Sequence, residues 1–110
     1  MVNLMVERLD LVFTALADPT RRAMLASLSE GERSVTELAA PHAMSLAGAS
    51  KHIGVLARAG LIERRRAGRR QLCRLRGEPL READAWLRQW RAFWVDRLDA
   101  LDAVLREDRP

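Results

Sequence analysis

Cysteine and histidine are nearly missing from this chain of 110 residues, which holds one cysteine, Cys73, and two histidines, His42 and His52. A lone thiol closes no internal disulfide, so a reducing compartment suits it, and so few donors leave little material for a metal site. Nothing approaches the roughly 18 consecutive apolar residues of a membrane span. The opening residues, MVNLMVERLD, carry acids where a secretory signal needs a basic flank and an apolar centre, so a cytoplasmic protein with no membrane partner is expected. Internal repeats and low-complexity segments are absent too. So is any catalytic constellation: no nucleophile sits with a base, no glycine-rich loop offers a phosphate cradle, and no close carboxylate pair suggests a cleft. The expectation is a non-enzyme without a cofactor.

What the chain does have is positive charge in one place. Between Ser45 and Arg76 there are nine basic residues (Lys51, Arg58, Arg64, Arg65, Arg66, Arg69, Arg70, Arg74, Arg76) and one acid, Glu63. That window carries +8 against +4 for the whole chain, so everything outside it sums to −4. A localised field of this kind suits a polyanion, and nucleic acid is the natural partner.

Apolar spacing and punctuation give the order of elements. Met5, Leu9, Val12, Phe13 and Leu16 recur at helical spacing over residues 4–17. Asp18-Pro19 ends that helix and starts the next, Asp18 as N-cap and Pro19 in the first turn, with Met24, Leu25 and Leu28 inward as far as Ser29. Ser34 and Glu37 form a capping box for a short helix over 35–40, closed by Pro41. A fourth helix starts at Ser45, buries Ala49, Ile53, Leu56 and Ala57, and stops at Gly60 as a left-handed terminator. Two strands follow at about 61–65 and 70–75, turning at Ala67-Gly68. From Pro79 to about residue 106 a long helix repeats Leu80, Ala83, Leu87, Trp90, Trp94, Leu98, Leu101 and Leu105 at spacings of three and four. The fold expected is mainly α with a small β-hairpin wing: one winged helix-turn-helix domain over 1–110, in the order α-α-α-α-β-β-α. The helix-turn-helix is 34–59 and the wing 61–76. Such an arrangement puts one helix in a major groove and a basic hairpin on the flanking phosphates.

At these residues the chain resembles the ArsR/SmtB family of bacterial winged-helix transcriptional repressors. The matching pieces are LADPTRRAMLASL (16–28), SVTELA (34–39), ASKHIGVLARAGLIERRRAGRR (49–70) and WLRQWRAFWVDRLDALDAVL (86–105). The Trp-rich tail is more similar to the non-metal, SdpR-like branch than to the metal sensors. Those sensors carry cysteines in the third helix or Asp, His and Glu ligands on the last. Here the corresponding pieces are ELAAPH and a last helix without histidine. Departures from the family pattern lie in the fourth helix. Leu46 stands where many members have Gln, Gly54 where many have Lys, and Ala47 and Gly48 replace a commoner Pro- or Ser-containing pair.

The resemblance implies a homodimeric repressor or autorepressor reading a palindromic duplex DNA operator. Its DNA-binding residues are expected to be Ser45, Leu46, Ala47, Ser50, Lys51, His52 and Arg58 on the helix, with Arg65, Arg69 and Arg70 on the wing. Arg74 and Arg76, nearer the body, read as structural ion-pair partners. Helices 1–17 and 79–106 are expected to dimerise through Leu9, Val12, Phe13, Leu87, Trp90, Trp94, Leu98, Leu101 and Leu105. Cys73, alternating with Leu75, should point inward. Trp86, Trp90 and Trp94 form a ridge suited to a dimer core or, less naturally, to a small-molecule effector. The rival reading is a winged-helix protein-interaction module that uses the aromatic last helix and binds DNA weakly.

Overall fold

The structure is a computed structural model and describes residues 4–107. Helix α1 (Leu4–Leu16) is followed by α2 (Pro19–Leu28), strand β1 (Arg33–Ser34), α3 (Val35–Ala39), α4 (Leu46–Arg58), β2 (Ile62–Ala67), β3 (Arg70–Leu75) and α5 (Glu78–Glu107). The expected helices and hairpin are all present. Strand β1 was not expected, because two residues are too short to show a period of two. It joins the hairpin as a third antiparallel strand, order β1-β3-β2, with Arg33 opposite Cys73 and Ser34 opposite Leu72. In the hairpin Ile62 faces Leu75 and Ala67 faces Arg70, two residues further toward the tip than the sequence pattern suggests. Gly68 makes the turn at φ +63°, a left-handed conformation open to glycine.

Local signals in the sequence act as their chemistry requires. The Asp18 carboxylate accepts the Arg21 backbone N–H at 3.0 Å, capping α2. Arg21 and Arg22 then turn back on α1, where orphan carbonyls end the helix. Arg21 Nε donates to the Ala15 carbonyl at 2.8 Å and its Nη2 to Thr14 at 2.9 Å, while Arg22 Nη1 donates to Leu16 at 2.8 Å. The Ser34/Glu37 capping box is complete in both directions, at 3.1 and 3.0 Å. Between α3 and α4 a single 3₁₀ turn (Ala40–His42) ends on Ala43, a left-handed alanine at φ 50°. Gly60 takes φ +75° after α4.

The core is built from α1–α4 and the inner face of the sheet. Met24, Leu38, Ile53, Leu56, Leu61, Val12 and Cys73 are its largest fully enclosed side chains. Leu9 and Val12 belong to this core, at 6% and 2% exposure, and so are not available to a dimer seam. That corrects the sequence expectation: the apolar stripe of α1 that includes them faces inward. The exposed large apolar residues of α1 are Leu4, Met5, Val6 and Leu11. Phe13 is half-buried and meets Trp86 of α5 edge-on at 5.7 Å.

Helix α5 leaves the body almost at once. Ala83 is buried and Leu80 packs on the core, but from Leu87 to Leu105 the whole apolar stripe is open. The molecule is 70 Å long and 21 Å thick as a result. No helix among the described residues is long and apolar enough to cross a membrane.

Candidate nucleic-acid interface

Helix α4 sits behind α3 and beside the wing, and its N-terminal half is exposed. Ser45 caps it, its Oγ accepting the Gly48 N–H at 3.1 Å. Ala49, Ile53 and Leu56 anchor the inner face. That leaves Leu46, Ala47, Ser50, Lys51 and Arg58 on the outer one. A cleft of about 520 Å³ runs between this face and the wing, lined by Ser34 to Glu37, Leu46, Ser50 and Arg69 to Gln71.

His52 stands apart from its neighbours. It is half-buried, and its Nδ1 lies 3.2 Å from Arg21 Nη1 and 3.8 Å from an Asp18 carboxylate oxygen. One ring nitrogen therefore faces the body of the protein. The Asp18 carboxyl is held below the usual carboxylate range by the Arg21 backbone N–H, helped by the charges of Arg21 and His52.

The arginines fall into three groups, of which the sequence separated two. Arg74 and Arg76 both pair with Glu63, as expected of residues near the body. Arg65 and Arg70, expected from the sequence as DNA-binding residues of the wing, are paired as well. Arg65 makes a two-bond fork to Glu32, Nε to Oε2 at 2.9 Å and Nη2 to Oε1 at 2.8 Å. Arg70 Nη2 reaches Glu37 Oε1 at 2.7 Å. Arg64, Arg66 and Arg69, with Lys51 and Arg58 on α4, are exposed and make no ion pair among the described residues.

Sequence reasoning missed the acids Glu32 and Glu37 because each partner lies 33 residues away, across the sheet that β1 completes. The capping box was the visible role of Glu37; its second role has no local signal. The carboxyls respond accordingly. Arg65 holds Glu32 below the usual range, Arg74 does the same for Glu63, and Glu37 is lowered first by the Ser34 N–H. Cys73 is fully enclosed, and burial pushes its thiol up.

Comparison with known proteins bears on this arrangement directly. A profile described as a helix-turn-helix domain matches residues 16–65. The crystal structure of an ArsR family transcriptional regulator, RHA00566, superposes with a TM-score of 0.76 at 43% identity, covering 80% of this chain and 91% of that one. The chain belongs to the ArsR family. It is thus a transcriptional regulator with the winged helix-turn-helix fold. A second similar structure, solved by NMR, is the homodimeric winged helix-turn-helix DNA-binding domain (fragment 1–100) of Mb0332 from Mycobacterium bovis, described as a possible ArsR-family transcriptional regulator. It matches with a TM-score of 0.64 at 30% identity over 97% of this chain and 91% of that one. The HTH-type transcriptional regulator Rv0324 of Mycobacterium tuberculosis is 42% identical over 64 residues, 58% of this chain. That match spans 28% of the length of Rv0324.

Proposed function

We propose that this ArsR family member is a homodimeric repressor that binds a palindromic operator as duplex DNA, with α4 as the sequence reader and the wing as a phosphate contact. The observation that carries the reading is the cluster of exposed cations Lys51, Arg58, Arg64, Arg66 and Arg69 on α4 and the wing, none of which makes an ion pair among the described residues; the other exposed arginines without an ion pair there, Arg22, Arg81, Arg91 and Arg97, are scattered over α2 and α5. Ser45, Leu46, Ala47, Ser50 and Lys51 face the groove side; a leucine or alanine there suits thymine methyls, and a serine or lysine suits base edges or phosphate. His52, with Nδ1 turned toward Arg21, serves to hold α4 against α2 rather than to touch DNA. Dimerisation uses the open stripe of α5 from Leu87 to Leu105 with the outer side of α1. The homodimeric state of the Mycobacterium bovis relative supports this.

We further propose that the chain belongs to the non-metal branch. Neither α3 nor α5 supplies the cysteines or histidines of the family's usual sensing sites, and no cluster of three or more metal-binding side chains occurs among the described residues. Elemental analysis should find less than one metal ion per two protomers. Stoichiometric zinc would end the non-metal reading.

Titrating a duplex from the gene's own promoter at several salt concentrations tests the central claim. Affinity should fall steeply with salt, by a slope near 0.9 for each phosphate neutralised. Ser50→Ala should weaken the operator complex by up to about tenfold and leave random duplex almost unchanged. If neither duplex binds at low salt, the open aromatic ridge of α5 points to the protein-interaction module instead.

A further inference from the structure

The two paired wing arginines are held in different ways. Arg65 is gripped by both oxygens of Glu32, and the pair lies outside the cleft between α4 and the wing. Arg70 is held through one nitrogen only, with most of the donors of its fork unused, and it lines that cleft opposite Leu46 and Ser50. Its partner, Glu37, has a second anchor. The same Oε1 that receives Arg70 also accepts the Ser34 N–H at 3.0 Å.

We propose that Glu37 competes with DNA phosphate for Arg70: the carboxylate holds the guanidinium at the cleft in the free protein and yields it to a phosphate oxygen in the complex, while Arg65 stays clamped to Glu32. This rests on the DNA-binding reading above. The exchange is physically cheap because an exposed ion pair is weak and screened. Arg70 is 62% exposed and Glu37 49%. A phosphate can take the guanidinium on two oxygens, whereas Arg70 engages Glu37 through Oε1 alone. Glu37 does not follow, since the capping box keeps it on α3. The Ser34 N–H and hydroxyl, ahead of the Arg70 charge, also keep its carboxyl low and therefore ionised after the exchange. A fixed negative charge then remains beside the duplex. It lowers affinity for every sequence and shortens residence on random DNA.

Glu37→Gln separates the two roles, because glutamine also completes a capping box but carries no charge. Dissociation constants on a random-sequence duplex would be measured over a salt series for the full chain and for Glu37→Gln, Arg70→Ala, the double variant and Arg65→Ala. Circular dichroism would confirm that each is folded. Arg70→Ala should reduce the slope of log K against log salt by about 0.9, and Arg65→Ala should leave it unchanged. Glu37→Gln should tighten binding by up to about fivefold; the share of that gain that comes from freeing Arg70 should vanish in the Arg70→Ala background, leaving a smaller gain from the removed charge. If Arg70→Ala leaves the slope intact, the pair persists in the complex and the competition is refuted. Weaker binding by Glu37→Gln refutes it equally, by making Glu37 a positioning residue for Arg70. An unmodified chain that shows no salt-dependent DNA binding overturns the DNA-binding reading and this inference together, whereas steep binding with an unaltered Arg70→Ala slope overturns only the inference.

Discussion

Leu98 is the sharpest probe of assembly, because it stands beyond any contact with the body and is 59% exposed in the single chain. Burying a whole leucine side chain is worth about 1.5 to 3 kcal/mol, so covering the open six-tenths contributes roughly 1 to 2 kcal/mol per copy. A two-fold seam contains the residue twice, which makes the contribution to dimer stability about 2 to 4 kcal/mol. Truncation by Leu98→Ala should therefore raise the dimer dissociation constant by roughly 30-fold to several hundred-fold. Leu98→Asp goes further by leaving a carboxylate without a partner in an apolar seam. Sedimentation velocity over a hundredfold range of protein concentration reads both changes. The native chain should sediment as a dimer at micromolar concentration and Leu98→Asp as a folded monomer. A native monomer under those conditions would refute the reasoning, and so would an aspartate variant that sediments like the native dimer.

Gly54 lies inside α4 with nothing within 4 Å of where a Cβ would stand, so Gly54→Ala should stabilise the domain by about 1 kcal/mol in thermal or urea unfolding. Gly48→Ala should gain less, because its Cβ would stand 3.3 Å from the capping Ser45 Oγ. The depressed carboxyls of Glu32, Glu37 and Glu63 predict acid sensitivity of the wing. Their stabilisation is complete above the unfolded carboxyl value near about 4.3 and is lost as pH falls through the lower folded values. Amide exchange in β2 and β3, corrected for its intrinsic pH dependence, should therefore lose protection between about pH 5 and 3; constant protection would contradict the ion-pair account. Cys73, enclosed and with its thiol pushed up by burial, should ignore an aromatic disulfide reagent at neutral pH until the protein is unfolded. Rapid labelling of the native chain would disprove its enclosure.

Most of the fold was legible because its signals are local. Asp18-Pro19, the Ser34/Glu37 box, Ser45 and Gly60 each mark a helix end within a few residues, and all four operate as written. Periodicity marked the stripe on α5 that the structure leaves open, but could not divide α1. Leu9 and Val12 repeat as an interface residue would, and only the packing of α2 and α4 against them decides that they are core. The site was less legible for a related reason. A run of arginines advertises charge, but whether a given guanidinium is free depends on acids brought near by the sheet. Glu32 and Glu37 reach Arg65 and Arg70 through β1, a strand of two residues with no pattern of its own. His52 has no local signal for its partner either: on the helix it is adjacent to Lys51, while in space its Nδ1 lies 3.2 Å from Arg21 Nη1.

One guanidinium governs how the body can move. Arg21 takes the last carbonyls of α1 on two of its nitrogens and sits against the His52 ring of α4 with the third, while its own backbone N–H is fixed by Asp18. The guanidinium is planar and rigid, so its three partners are held in a fixed arrangement about it. Arg21 thus ties helices α1, α2 and α4 together at one point. In the dimer proposed above, a rotation imposed on α1 would be passed to α4 through these contacts. For the proposed dimer, such a tie would make the spacing of its two α4 helices depend mainly on how the subunits meet.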